Sequence, residues 1–289
     1  MKSMFKLWRI YQYPKNLFVL APLFFSGELL TGSKFYLAFL TMTAFCLMSS
    51  AMYIFNDWMD MDLDRQHPIK KNRPLASGSV IQPLAFLMMI VLIVLGIFIC
   101  VYINWSVLLI AATYLTLMTA YSIWLKHQPI LDLLIIALGF ILRIFAGGFA
   151  IGVFVSPYLV MMTFFLAMFL ALGKRHDEFI YCKTHKITPR PALNGYSNRL
   201  FDVAIGAVVT LMISGYFMDT VTNLNSPLVL KSPYSYLTTF FVIAGIMRYL
   251  QLIYVKKKSS DPSYLIFHDG ILLSIVLLWI LSLFVILYV

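Results

Sequence analysis

The chain has 289 residues, 61% of them hydrophobic and only 12% charged, with a mean hydropathy of +0.87 and a formal charge of +10. That composition excludes a water-soluble enzyme and leaves no stretch long enough for a soluble domain of any size. Nor does the positive charge call for a nucleic acid, because membrane proteins gather lysine and arginine on the cytoplasmic side, against anionic lipid.

In chain order, the N-terminal "MKSMFKLWRIYQYPK" is basic and amphipathic, lacks the small-residue site of a cleavable signal, and reads as an interfacial helix over about 3–14. A membrane span needs ~20 apolar residues to cross a hydrocarbon core of ~30 Å. Apolar runs bounded by polar or Gly/Pro punctuation occur at 16–30, 35–55, 81–103, 105–124, 130–152, 157–173, 200–219, 235–255 and 270–289. With the N-terminus inside, 18 of the 22 lysines and arginines fall on inner segments, only Lys34 and Lys231 on outer ones, and Arg143 and Arg248 within spans. The asymmetry predicts one transmembrane domain over 1–289 in the inner (plasma) membrane, nine helices with a cytoplasmic N-terminus and an outside C-terminus. Cys46, Cys100 and Cys182 show no CxxC or metal spacing, so neither a disulfide nor a zinc site is expected. Two inner loops, about 56–80 and 174–199, are long and dense in ionisable groups, and any chemistry is expected on that face.

The first of these loops begins "NDWMDMDLDRQHPIKKNRPLASG", residues 56–78, and holds four of the chain's 12 acids. Asp57, Asp60 and Asp64 are spaced i, i+3, i+7 and share one face if the second span continues as a helix, with Asn56 beside them and Asp62 turned away. Like charges on one face need a counter-charge. Carboxylates plus one amide form an oxygen-only set that suits a hard divalent cation, Mg2+, which keeps some waters and takes further ligands from a phosphorylated substrate. The competing reading is a solvated acidic helix end, weakened by the cost of acids near a bundle interior. Lys70, Lys71 and Arg73 follow, able to pair with phosphate oxygens, while Pro68, Pro74 and Gly78 shape a loop; the plainer account of these cations is the positive-inside rule.

Further along, Lys126, His127 and Gln128 occupy a short loop before the fifth span, and Asp132 and Arg143 lie within that span, three turns apart and unable to touch. Arg143 is read either as a structural ion-pair member or as a phosphate ligand in a reaction cavity. Tyr121 and Tyr196 are candidate substrate contacts, or else interfacial anchors. Gly139, Gly147 and Gly148 are expected to permit close helix packing. Arg248 and the run Lys256–Lys258 read as anchors.

Asn56, Asp57, Asp60 and Asp64 match the NDxxDxxxD signature, and the nine spans with that motif after the second resemble the UbiA superfamily of intramembrane prenyltransferases. Within it, the full 56–78 segment is similar to the decaprenyl-phosphate phosphoribosyltransferases. So are "YSIWLKHQPILDLLIIALGFILRIFAGG" (121–148), "GKRHDE" (173–178), "LNGYS" (193–197) and "DPSYLIFHDG" (261–270). The resemblance implies an all-α bundle of nine transmembrane helices around a central cavity open to the cytoplasm. It implies transfer of 5-phosphoribosyl from phosphoribosyl diphosphate to a polyprenyl phosphate, with Mg2+ as cofactor. Taken with the residue chemistry above, the expected metal ligands are Asn56, Asp57, Asp60 and Asp64, the expected catalytic residues are the three acids with Lys174 and Glu178, and the candidate substrate contacts are Lys70, Arg73, Tyr121, Lys126, Arg143, Arg175 and Tyr196.

One departure bears on the donor. Members that use prenyl diphosphates carry a second DxxxD motif after the sixth span; here Asp177 is followed four positions later by Tyr181, and Lys174 and Arg175 stand where a second cation would sit. That favours the phosphoribosyl branch over the alternative, a prenyl transfer to an aromatic acceptor. A phosphate-monoester nucleophile is already ionised at neutral pH, so His67, His127 and His176 are expected to hydrogen-bond rather than act as bases. Prenyl chain length and oligomeric state, a homo-oligomer included, stay open.

Overall fold

The computed structural model describes residues 2–66, 70–185, 191–222, 234–255 and 262–289. His67, Pro68, Lys186, Arg190, Lys231 and Lys256–Lys258 lie outside the described residues. Among those described there is no strand, and eight helices are long and apolar enough to cross a membrane. The chain is an all-α integral membrane protein. It divides into two compact units, 1–24 with 28–126 and 142–154, and 25–27 with 127–141 and 155–289.

The first unit opens with α1 (Lys2–Trp8), which stops because Arg9 adopts a left-handed conformation with φ 50°. The interfacial helix expected over 3–14 is thus shorter, and a 3-10 helix, Ile10–Leu20, follows and runs into the five-residue α2 (Ala21–Phe25). Pro22 removes a backbone donor inside the run expected as a span over 16–30, and Gly27 takes φ 76° just after α2, so that run is not one long α-helix. The centre of the unit is α3 (Gly32–Met59), which meets neither proline nor glycine after its first residue and so continues past the expected end at 55. Phe45, Met48, Ala51 and Ile54 bury its inner side. After the short α4 (Met61–Gln66), α5 (Gln82–Ile103) packs on α3, and Gly96 makes the approach possible: a Cβ there would lie 2.7 Å from Met48 Cγ and 3.3 Å from the Ala44 carbonyl oxygen. Asn104 alone joins α5 to α6 (Trp105–Ile123); it caps α6 by accepting from Val107 N at 2.8 Å and donates to the Phe149 carbonyl at 3.0 Å.

The helix α7 (Leu131–Ile151) gives its first half to the second unit and its second half to the first, where Gly147 lies against Val19 so closely that a Cβ would fall 1.9 Å from its carbonyl oxygen. In the second unit, α8 (Pro157–His185) extends well past the expected span end at 173, so "GKRHDE" stands on a helix rather than in a loop. No proline interrupts it, and Gly173 is accommodated where Tyr249 and Ile253 press closest. The core joins Phe169 and Leu172 of α8 to Phe201 and Ile205 of α9 (Asn198–Thr222) and to Ile246 and Leu252 of α10 (Thr239–Tyr254). After α11 (Pro262–His268), Asp269 caps α12 (Gly270–Tyr288) and takes both Arg248 Nε, at 3.0 Å, and Arg248 Nη2, at 2.7 Å.

Candidate active site

In the first unit, α3 ends at Met59 and α4 begins at Met61, yet the break at Asp60 keeps helical register: Asp60 N donates to Asn56 O at 3.0 Å and Asp64 N to Asp60 O at 2.8 Å. The i, i+3, i+7 face therefore exists as expected. Asp57 is 2% and Asp64 3% exposed, whereas the Asp62 side chain is 84% exposed and pairs with Arg65.

Carboxylates buried together must be neutralised, and three cations do so. Arg9 pairs with Asp57 and stacks 4.9 Å from the Tyr53 ring. Arg73 Nη1 bridges Asp57 Oδ1 at 3.1 Å and Asp64 Oδ2 at 2.6 Å. Lys126 Nζ reaches Asp60 Oδ1 at 2.5 Å and Asn56 Oδ1 at 3.4 Å, and Asn56 Nδ2 donates to Asp60 Oδ2 at 3.1 Å. Burial works against the Arg9 charge, but Asp57 beside it outweighs that and raises its pKa, so the guanidinium stays charged. Arg73 is presented by a turn in which Gly78 takes φ 72° and donates to Leu75 O at 3.2 Å, a conformation that glycine adopts without strain. Lys70 is half-buried on the 3-10 turn Lys70–Asn72, and Tyr121 half-buried on the last turn of α6.

Among the described residues no three acid, histidine or cysteine side chains converge into a ready metal-ligand set. The donor chemistry nonetheless fits Mg2+: Asn56, Asp57, Asp60 and Asp64 offer hard oxygens alone, and the cations now bridging them mark the face as one that binds positive charge.

Arg143 is buried in the same unit. Its Nε donates to Asn16 Oδ1 at 2.7 Å and its Nη2 to Ser49 Oγ at 3.2 Å and the Tyr114 hydroxyl at 3.0 Å, with the guanidinium 4.8 Å over the Tyr114 ring. A cavity of 270 Å³ in this unit is lined by Ile54, Trp58, Leu75, Phe86 and Met89, among others, and by none of the expected ligands.

In the second unit, three separately quoted stretches of sequence meet. Arg175 Nε pairs with Asp132 Oδ2 at 2.6 Å and its Nη1 with Glu178 Oε2 at 3.0 Å, while the Tyr196 hydroxyl donates to Asp132 Oδ1 at 2.9 Å. Burial pushes the Tyr196 phenol above its ordinary range, so it keeps the proton it donates. Lys174 is exposed on the same helix.

Sequence reasoning placed the acids, Arg73 and Lys126 but counted Arg9 only among inside charges; its partner lies 48 positions away, beyond any local pattern. Asn16, Ser49 and Tyr114 went unremarked too, although polar residues inside apolar runs are a signal in their own right.

A model of the UbiA prenyltransferase family matches residues 18–271. The decaprenyl-phosphate phosphoribosyltransferase of Mycolicibacterium smegmatis is 31% identical over 221 residues, which cover 74% of this chain and 69% of that protein. The protein of the same description from Corynebacterium glutamicum is 30% identical over 218 residues, 74% of this chain and 66% of that one, so the match spans about two thirds of either relative. A solved UbiA homologue from Archaeoglobus fulgidus, bound to DMAPP and Mg2+, shares the fold over 99% of both chains with a TM-score of 0.72 at 17% identity.

Proposed function

The chain belongs to the UbiA prenyltransferase family, and from that premise we propose that it transfers the 5-phosphoribosyl group of phosphoribosyl diphosphate to a polyprenyl phosphate, releasing diphosphate. One observation carries the choice of donor: α8 bears Lys174 and Arg175, and Tyr181 rather than an acid follows four positions after Asp177, where a prenyl-diphosphate enzyme of this family would carry its second aspartate pair. The named activity of the two relatives supports the same choice.

In the reaction, an oxygen of the ionised lipid phosphate forms a bond to the ribose anomeric carbon as the bond from that carbon to diphosphate breaks, and the diphosphate departs with the electron pair. No general base is required. Mg2+, when bound, would neutralise charge on the departing diphosphate, and Asn56, Asp57, Asp60 and Asp64 are the residues that would hold it. The remaining work is electrostatic and positional. Arg73 and Lys126 are charged, partly or wholly buried, and already aimed at the acidic face, so phosphate oxygens entering there exchange one anionic partner for another. Lys70 adds a further cation from the loop that carries Arg73, and Tyr121 and Arg143 are further candidates for substrate contact. On the other unit Lys174 and Glu178 are the candidates, with Arg175 paired to the latter. The donor is water-soluble, which fits an acidic loop on the cytoplasmic face.

The test is a product assay. Purified protein with Mg2+ is given labelled phosphoribosyl diphosphate and polyprenyl phosphate, or a prenyl diphosphate and an aromatic acid. Mass analysis is expected to find polyprenyl-phosphoryl-5-phosphoribose from the first pair; a prenylated aromatic product from the second and nothing from the first would overturn the proposal.

A further inference from the structure

Ile130 is a β-branched residue at φ 68°, in the left-handed region where such side chains carry strain. The residue is 54% exposed, so packing inside the protein does not hold it there. Hydrogen bonds do. The Ile130 N–H donates to the Tyr196 hydroxyl at 2.8 Å, that hydroxyl donates to Asp132 Oδ1 at 2.9 Å, and Asp132 Oδ2 takes Arg175 Nε at 2.6 Å, all three side chains being buried. Beside the tyrosine, Gly195 lies so near Pro129 that a Cβ would fall 2.4 Å from Pro129 Cγ, leaving the two segments no slack. Downstream, Leu133 N and Leu134 N both donate to Ile130 O at 3.0 Å, so the strained residue also starts α7.

The strained turn follows the short helical turn Leu125–His127, which carries Lys126, the cation on Asp60. We infer that Tyr196 and Asp132 are positioning residues: they latch the 128–131 turn in its left-handed form and so fix the course of the chain leaving Lys126. This gives a use to Tyr196 and Arg175, which meet on the two oxygens of Asp132. The kinetic consequence rests on the proposed donor; the latch itself does not.

Tyr196→Phe removes the hydroxyl and keeps the ring, which stacks on Phe201 at 4.9 Å, so the core is preserved. The expected result is a rise of about tenfold in KM for phosphoribosyl diphosphate, equivalent to about 1.4 kcal/mol, with kcat and the KM for polyprenyl phosphate within about threefold of wild type. Glycine tolerates the left-handed region without strain, so Ile130→Gly alone stays near wild type and Ile130→Gly with Tyr196→Phe recovers the donor KM to within about threefold. Amide exchange supplies the chemistry-independent arm: the Ile130 N–H exchanges faster in Tyr196→Phe. An unchanged donor KM, equal rises in both KM values, or failure of Ile130→Gly to rescue overturns the positioning role. If wild-type protein transfers no phosphoribosyl group, the proposed donor is wrong and the kinetic half falls with it. Faster exchange in Tyr196→Phe would then still establish the latch, and unchanged exchange would remove both.

Discussion

Replacing Arg73 by methionine tests whether the acidic face is held together by its cations. One guanidinium nitrogen lies 3.1 Å from Asp57 and 2.6 Å from Asp64. Asp57 keeps Arg9 in the variant, but Asp64, which is 3% exposed, loses the cation that neutralises it. Removing one partner of a buried pair costs about 3–5 kcal/mol; since the Arg73 side chain is 26% exposed and water can take part of its place, about 2–3 kcal/mol is expected. The assay is thermal and denaturant unfolding of the detergent-solubilised protein, run as a cycle with Asp64→Asn and the double variant. If the cost is an abandoned carboxylate, the double variant is more stable than Arg73→Met by at least about 1 kcal/mol, because deleting both charges removes the penalty that deleting one creates. A loss below about 0.5 kcal/mol in Arg73→Met, or a double variant whose loss is simply the sum of the single losses, would refute the reasoning.

Asp57→Asn and Asp60→Asn are each expected to abolish transfer while the protein stays inserted and folded; near-normal turnover in either would remove the metal assignment. Mg2+ at 100 times its dissociation constant should stabilise wild-type protein by about 2.7 kcal/mol, read as a higher melting temperature, and Asp60→Asn should lose that increment even without substrate. Gly147→Ala forces a methyl group to within 1.9 Å of the Val19 carbonyl oxygen and is expected to cost more than the ~1–3 kcal/mol of ordinary overpacking, because backbone has to move. Its control is Gly206→Ala in α9, where a Cβ meets nothing within 4 Å, and a gain of up to ~1 kcal/mol is expected from helix propensity. Equal melting temperatures for the two would contradict the packing described.

Much of this architecture is legible in the sequence. Apolar runs gave the long helices, because hydropathy is local and a bilayer imposes a fixed length. Period alone put Asp57, Asp60 and Asp64 on one face, and the structure keeps that register through the break at Asp60. What escaped was set by partners distant in sequence or by local chemistry that hydropathy does not see. Pro22 and the left-handed Gly27 kept the first apolar run from forming one α-helix. The absence of a breaker carried α8 on to His185, although its last residues are charged. Arg9 joined the acids from 48 positions upstream and Lys126 met Asp60 from 66 positions downstream, separations at which no periodicity survives. The strain at Ile130 was equally hidden, since nothing in "HQPILD" distinguishes a left-handed isoleucine from an ordinary one.

The order of these partners along the chain also has a meaning for biogenesis. Synthesis runs from the N-terminus, so Arg9 is already waiting when Asp57 is made, and Arg73 arrives nine residues after Asp64. Asp60 meets Lys126, which is translated only after α5 and α6 have been made. A nascent chain stopped before Lys126 therefore still lacks the ammonium that meets Asp60. Closing the loop after α6 is the event that completes the acidic face.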